Sequence, residues 1–263
     1  MQDIAGRAAF ISGGASGIGL AIGRALAAAG AKVTLADIDQ AELDRVVPTV
    51  PGAFGVRLDV RDRAGWGAAK AAAEAANGPT HIAVNNAGIG PCQNPFADMD
   101  PEDFDRVVAI NLTGVFNGIS AFAADMRGRG CGHIVNTASM AGLMANMNLG
   151  GYTAAKFAVV GISEVLRKEL EPHGVGVSVL CPDLIQTRLG ETSLALGNKP
   201  RERTVQSASA AGLEADFVGE RVVAAILSND LYILTHGEYR PIIAKRGEVL
   251  LEAFDRTPAS TAT

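Results

Sequence analysis

The stretch Ala8-Ala9-Phe10-Ile11-Ser12-Gly13-Gly14-Ala15-Ser16-Gly17-Ile18-Gly19 decides the fold. A short apolar run ends at Ser12 and passes into glycines at 13, 17 and 19. An Ala-rich run, 17–30, then follows to Gly30. The order reads strand, tight turn, helix, with Gly30 as the stop. Gly13, Gly17 and Gly19 let the backbone turn sharply and bring N–H groups close to an anion, and Ser16 and Ile18 share the same loop. A helix opening near Gly17 aims the positive end of its dipole at that point. Glycine spacing alone also describes an ordinary turn; the flanking strand and helix make this one a pyrophosphate site.

Outward from that unit the same alternation continues. Strands are expected at 32–37, 53–60, 81–88, 133–139, 175–182 and 230–235. Helices are expected at 39–46, 62–76, 101–126, 152–171, 214–228 and 239–255. Residues 186–212 read as a polar excursion and 256–263 as a frayed tail. Apolar strands separated by helices require a parallel sheet with right-handed crossovers covering both faces. The expected architecture is one doubly wound, Rossmann-type α/β domain over residues 1–263, with about seven parallel strands.

Composition narrows the function. Of 263 residues, 48% are hydrophobic and 19% charged, which describes a globular chain. A net charge of −5, no basic block and 5% aromatics exclude a nucleic-acid surface. No run of 18 uncharged apolar residues suggests a membrane span. Cys92, Cys131 and Cys181 form no CxxC pair, and the four histidines lack a second ligand at metal spacing, so no metal is expected. Unlinked thiols and a polar N-terminus point to a reducing, cytoplasmic setting.

Two sets of residues carry chemistry. Asp37 ends the second strand, where a carboxylate accepts from both ribose hydroxyls and repels a 2′-phosphate; Ala36 and Ile38 beside it bring no cation, which favours NAD over NADP. The alternative for Asp37 is a solvated helix cap, although Asp39 suits that role better. Asp59 and Val60 end the third strand and are candidates for the adenine, with Asp59 equally able to cap a helix. Tyr152 and Lys156 stand four apart on one helical face, and Ser139 ends the fifth strand. Oxidation of an alcohol needs a base. A free phenol has a pKa near 10, and an ammonium beside it favours the phenolate. Ser139 is suited to holding the substrate oxygen.

With these residues in this order, the sequence resembles the short-chain dehydrogenase/reductase family over about residues 5–235. Gly13, Gly17 and Gly19 match its glycine motif, and Asn85-Asn86-Ala87-Gly88 its Asn-Asn-Ala-Gly motif. Ser139, Tyr152 and Lys156 match its catalytic triad, and Asn111 its active-site Asn. The resemblance implies that Asn86, Ala87 and Gly88 border the cofactor, together with Pro182, Ile185 and Thr187. It implies that Tyr152 and Lys156 touch the cofactor, and that Asn111 supports a water linking Lys156 to proton exchange. From residue type alone, Asn111 equally caps or kinks its helix. Asp183 departs from the family, which places a glycine after Pro182. The C-terminal run THGEYRPIIAKRGEVLLEAF replaces the usual Gly-rich ending and is similar to a subgroup acting on bulky aromatic alcohols, including the Cα-dehydrogenases of lignin-derived aryl ethers.

Met140, Met144 and Met147, with Leu149, are candidates for a pliable apolar substrate wall, or else ordinary packing. Residues 188–212 are the expected lid. Apolar residues on more than one face of 101–126 (Phe104, Val107, Val108, Ile110, Val115, Phe116, Phe122) suggest a homodimer or homotetramer, which the family commonly forms. The expected activity is NAD-dependent interconversion of a secondary alcohol and a ketone on a hydrophobic substrate of bulky aromatic or steroid-like character. The competing reading is a non-catalytic NAD-binding sensor or scaffold.

Overall fold

In the computed structural model, which describes residues 3–197 and 212–257, the seven apolar runs form strands β1 (Ala8–Ser12), β2 (Lys32–Asp37), β3 (Phe54–Arg57), β4 (Thr80–Asn85), β5 (Gly132–Thr137), β6 (Val175–Cys181) and β7 (Tyr232–Leu234). All pair in parallel, in the order β3-β2-β1-β4-β5-β6-β7. A parallel pair cannot be closed by a hairpin, so helices supply the links. These are α1 (Gly17–Ala28), α2 (Gln40–Val46), α3 (Arg63–Asn77), α4 (Pro101–Val108), α5 (Gly114–Arg129), α6 (Gly150–Leu170), α7 (Leu189–Ala195), α8 (Ala215–Ser228) and α9 (Arg240–Asp255). Strand order reverses at β1/β4, and such a switch point opens a crevice at the carboxyl ends of the strands.

Alternation along β1 sorts the core. Phe10 points to one face, where it meets Trp66 of α3 at 5.7 Å and Phe122 of α5 at 5.1 Å between ring centroids. Ala9 and Ile11 point to the other face, with Ile22 and Leu26 of α1 and Val218 and Val222 of α8. Phe122 is buried, and truncating such a ring costs roughly 3–5 kcal/mol.

Three expectations change. The helix over 101–126 is not continuous: α4 and α5 are joined by a π turn, Ala109–Thr113. A π turn inserts one residue, and here it carries Asn111 inward, where its amide bonds the backbone of Ile89 in both directions at 2.8 Å. Among the described residues, Pro101–Arg129 is the one helical stretch long and apolar enough to cross a membrane. Its packing on β4 and β5 accounts for that composition. Val107, Ile110, Val115 and Phe122 are buried within the chain, and Phe116 remains exposed. Second, β3 stops at Arg57, so Asp59 and Val60 lie in the following turn rather than on the strand. Third, the excursion 186–212 contains α7, and its two ends are pinned where Gln186 N–H donates to Leu213 and Leu213 N–H to Leu184. Residues 198–211 of the expected lid and 258–263 of the expected tail lie outside the described residues.

Polar side chains cross the sheet in bonded pairs. Asn85 donates to Asn136, and Asn136 to Ser163 of α6. His133, fully buried on β5, shares a 2.8 Å hydrogen bond with Ser178 of β6, while its Nδ1 has no partner. Burial pushes its pKa from 6.5 down to about 3. The unfolded chain therefore binds a proton below pH 6.5 that the folded chain refuses, and stability falls as pH drops from 6.5 toward 3. Denaturant midpoints across that window should fall less steeply for His133→Leu than for wild type; parallel slopes would show that His133 contributes nothing to acid sensitivity.

Candidate active site

A cleft of about 460 Å³ lies over the carboxyl ends of the central strands. On one side the loop after β1 forms its floor. Gly13 (φ +66) and Gly17 (φ +50) take left-handed conformations that favour glycine. A Cβ on Gly13 would stand 2.8 Å from the Ala87 Cα, and one on Gly19 would stand 2.0 Å from the Gly13 carbonyl oxygen. Ser16 makes no side-chain cap bond to α1, so the first-turn amides of Gly17 and Ile18, which line the cleft, keep their capacity for an anion. Asp37 sits at the end of β2, its carboxylate accepting from the Ala15 N–H at 3.1 Å and the Asp39 N–H at 3.2 Å. Burial raises its pKa, and those two amides pull it back down. Asp39 caps α2 through the Glu42 N–H. These residues fit a dinucleotide: uncapped helix amides and glycine backbone for the pyrophosphate, and a carboxylate for the ribose.

Asp59 and Val60 also line the cleft, but Asp59 is engaged. Arg61 grips it in a fork, Nη2 to Oδ2 at 2.6 Å and Nε to Oδ1 at 2.9 Å, which holds its pKa below the usual carboxylate range. The cap role expected as an alternative belongs instead to Asp62, which accepts from the Ala64 N–H at the start of α3.

Asn86, Ala87 and Gly88 follow β4 and meet the glycine loop. The Asn86 amide donates to the carbonyls of Ser12 and Gly13 at 3.2 and 3.3 Å and accepts from the Thr137 hydroxyl at 3.3 Å. Beyond it, Ser139 follows β5, and α6 carries Tyr152 and Lys156 on one face. Lys156 is 3% exposed, donates to the Thr137 carbonyl at 2.8 Å and lies 5.6 Å from the Tyr152 ring centroid. Burial lowers its pKa to about 8. Burial also raises the Tyr152 pKa; the Ser139 hydroxyl opposes that rise and the charge of Asp183 adds to it. Ser139 Oγ accepts from the Ala141 N–H at 3.1 Å and makes a long 3.3 Å bond to the Pro182 carbonyl, so it is lightly held. Asn111 is fully buried one layer behind, its Oδ1 3.0 Å from where a Gly88 Cβ would stand. Its amide holds the Ile89 loop and makes no direct hydrogen bond to Lys156.

Pro182, Ile185 and Thr187 line the cleft after β6, and the Thr187 methyl would meet a Gly17 Cβ at 3.0 Å. The methionine wall is not there. Met140 (1% exposed) and Met144 (7%) turn into the core, because the turn after Ser139 packs inward on α6, and Met147 is 91% exposed. Of those four residues only Leu149 lines the cleft, with Gln93, Asn146, Leu184, Leu189 and Leu196. Sequence reasoning also missed Ser12, Thr137 and Ser193. Ser193 of α7 accepts from the Gly90 N–H at 2.8 Å and ties that helix to the loop after β4. A lone serine or threonine carries no pattern that would have marked it.

The family model described as short chain dehydrogenase matches residues 7–195. The chain belongs to the short-chain dehydrogenase family. A C alpha-dehydrogenase of a Sphingobium species is 32% identical over 96% of this chain and 88% of its own length. A 3-alpha-(or 20-beta)-hydroxysteroid dehydrogenase of Mycobacterium tuberculosis is 40% identical over 69% of this chain and 70% of its own. A short-chain dehydrogenase/reductase of Burkholderia phymatum, solved in complex with NAD, superposes with a TM-score of 0.89 at 34% identity and covers both chains completely. This short-chain dehydrogenase is thus an oxidoreductase by family.

The glycine loop offers a direct test. Gly19→Ala places a methyl against backbone and should weaken dinucleotide affinity about tenfold or more by calorimetric titration. Gly67→Ala, in open space on α3, should leave affinity unchanged. Equal affinities in the two variants would remove the close approach at Gly19 from the binding site.

Proposed function

We propose that this short-chain dehydrogenase uses NAD to interconvert a secondary alcohol and a ketone on a hydrophobic, bulky aromatic or steroid-like substrate. The observation that carries the reading is the Tyr152 phenol in the cleft with the Lys156 ammonium behind its ring and the Ser139 hydroxyl beside it. A bound nicotinamide supplies the hydride acceptor. Ser139 holds the substrate oxygen, and Tyr152 takes the hydroxyl proton as the carbon–hydrogen bond breaks; in the reverse direction the phenol returns that proton to the developing alkoxide. Lys156, fixed by the Thr137 carbonyl, contributes the positive charge that favours the phenolate. A sensor or scaffold has no use for a buried ammonium directed at a phenol.

NAD rather than NADP is supported by Asp37 and by the state of the nearby cations. Arg61 and Arg188 both line the cleft, but Arg61 is paired with Asp59, and Arg188 with Glu42 and Glu191. Both are engaged by carboxylates, which lessens the attraction they offer a 2′-phosphate. Apolar residues on the substrate side, Leu149, Leu184, Leu189 and Leu196, suit a hydrophobic substrate. The names of the relatives, a C alpha-dehydrogenase and a hydroxysteroid dehydrogenase, agree with that class.

Tyr152→Phe should abolish NADH production from a panel of aromatic and steroid secondary alcohols while NAD affinity stays near wild type; robust turnover in that variant would eliminate Tyr152 as the acid/base. For the cofactor, Asp37→Ala should shrink the NAD-over-NADP ratio in kcat/KM about tenfold, and an unaltered ratio would take Asp37 out of the ribose site.

A further inference from the structure

Asp183 is the residue that the catalytic set does not use. It follows Pro182, whose carbonyl accepts from both the Ser139 hydroxyl and the Met140 N–H, so its backbone is fixed directly beside the residue that holds the substrate oxygen. It lines the same cleft as Ser139, Tyr152, Gln93, Asn146 and Leu149, with its charge close enough to act on the Tyr152 phenol. One carboxylate oxygen, Oδ2, accepts from the Tyr239 hydroxyl, brought in by the turn Gly237–Tyr239 that precedes α9. Tyr239 itself packs on the core, so its phenol is a fixed donor. Among the described residues, Asp183 has no ion pair, and its Oδ1 has no hydrogen bond. A partly exposed carboxylate, held in place with one oxygen unused among the described residues, therefore stands in a cleft whose other substrate-side residues are mostly apolar or neutral.

The position works against the chemistry of the site, since the negative charge of Asp183 disfavours the Tyr152 phenolate. Anchoring Tyr239 needs no charge; a neutral acceptor would do. A carboxylate at this place is suited to accepting a hydrogen bond from a ligand, and a charged acceptor makes a stronger bond than a neutral one.

Resting on the dehydrogenase reading above, we propose that Asp183 is a specificity-determining residue that accepts a hydrogen bond from a second hydroxyl of the substrate. The preferred alcohols are then aromatic carbinols bearing a further hydroxyl, rather than simple secondary alcohols. Leu149 and Leu184 take the apolar body of such a molecule, Ser139 and Tyr152 its reacting hydroxyl, and Asp183 Oδ1 the second one.

The test uses matched pairs, such as a phenylpropanol whose carbinol bears the ring and the phenylpropanediol that adds one terminal hydroxyl, with kcat/KM read from NADH formation. Wild type should favour the diol about tenfold. Asp183→Leu, checked for folding by thermal melt, should bring the ratio near one, with the change mainly in KM. Tyr239→Phe keeps the carboxylate and should keep most of the preference. Equal kcat/KM for the two alcohols in wild type overturns the inference without need of any variant, as does loss of the preference in Tyr239→Phe to the same degree as in Asp183→Leu. NADH from the mono-alcohol with no gain from the added hydroxyl leaves the dehydrogenase reading standing and removes only this one. No NADH from any pair overturns both.

Discussion

The close approach of two backbones at the switch point of the sheet is the constraint on which the site depends. β1 and β4 are hydrogen-bonded neighbours, and where they end the chain after β1 turns away at Gly13 against Ala87, with no room for a Cβ between them. Asn86 closes that junction by donating to the carbonyls of Ser12 and Gly13. The same amide accepts from Thr137 at the end of β5, and the Thr137 carbonyl receives the Lys156 ammonium. Hydrogen bonds on either side of Thr137 thus link the glycine loop to the ammonium beside the Tyr152 phenol. A shift in one strand's register would displace both, because a parallel ladder moves as a unit.

That run of bonds explains why some of the site was legible in the sequence. Gly13, Gly17 and Gly19 are marked by spacing within a local turn, and Tyr152 and Lys156 by the period of one helix, so both patterns survive without knowledge of the fold. The end of β2 at Asp37 was legible for the same reason, since a strand boundary is local. Residues whose surroundings depend on where an element stops and how the chain turns there were not. Asp59 is taken by Arg61 only because β3 stops early and the chain turns there. The methionines of 140–147 share a composition with a flexible pocket wall, but the 3-10 turn after Ser139 sends Met140 inward and leaves Met147 in solvent. Asn111 looked like an interruption of a helix. The inserted residue of the π turn converts that interruption into a bracket for Ile89, which no helical periodicity encodes.

Electrostatically the site is poised against its own reaction when considered as protein alone. Burial raises the phenol and lowers the ammonium, so each group is pushed toward its neutral form. An added positive charge nearby shifts the phenol the other way, toward the base that oxidation requires. On the proposed reading, acid/base competence of Tyr152 would be coupled to occupancy of the cleft by an oxidised nicotinamide.

Helix α7 extends the same logic to the other side of the cleft. α7 is held at its start by Arg188, which pairs with Glu42 on α2, and beyond its end by Arg106, which donates to the Gly197 carbonyl. Between those two, Ser193 accepts from the Gly90 N–H, one residue after Ile89, whose backbone is bracketed by Asn111. The loop after β4 is thus fixed from behind by the π turn and from the front by α7. Arg188 is exposed and its ion pairs are worth little. The Ser193 bond is buried and costs more to leave unmade. The hold on α7 therefore rests chiefly on the contact nearest the cleft, the buried bond from Gly90 to Ser193 on the loop that Asn111 brackets.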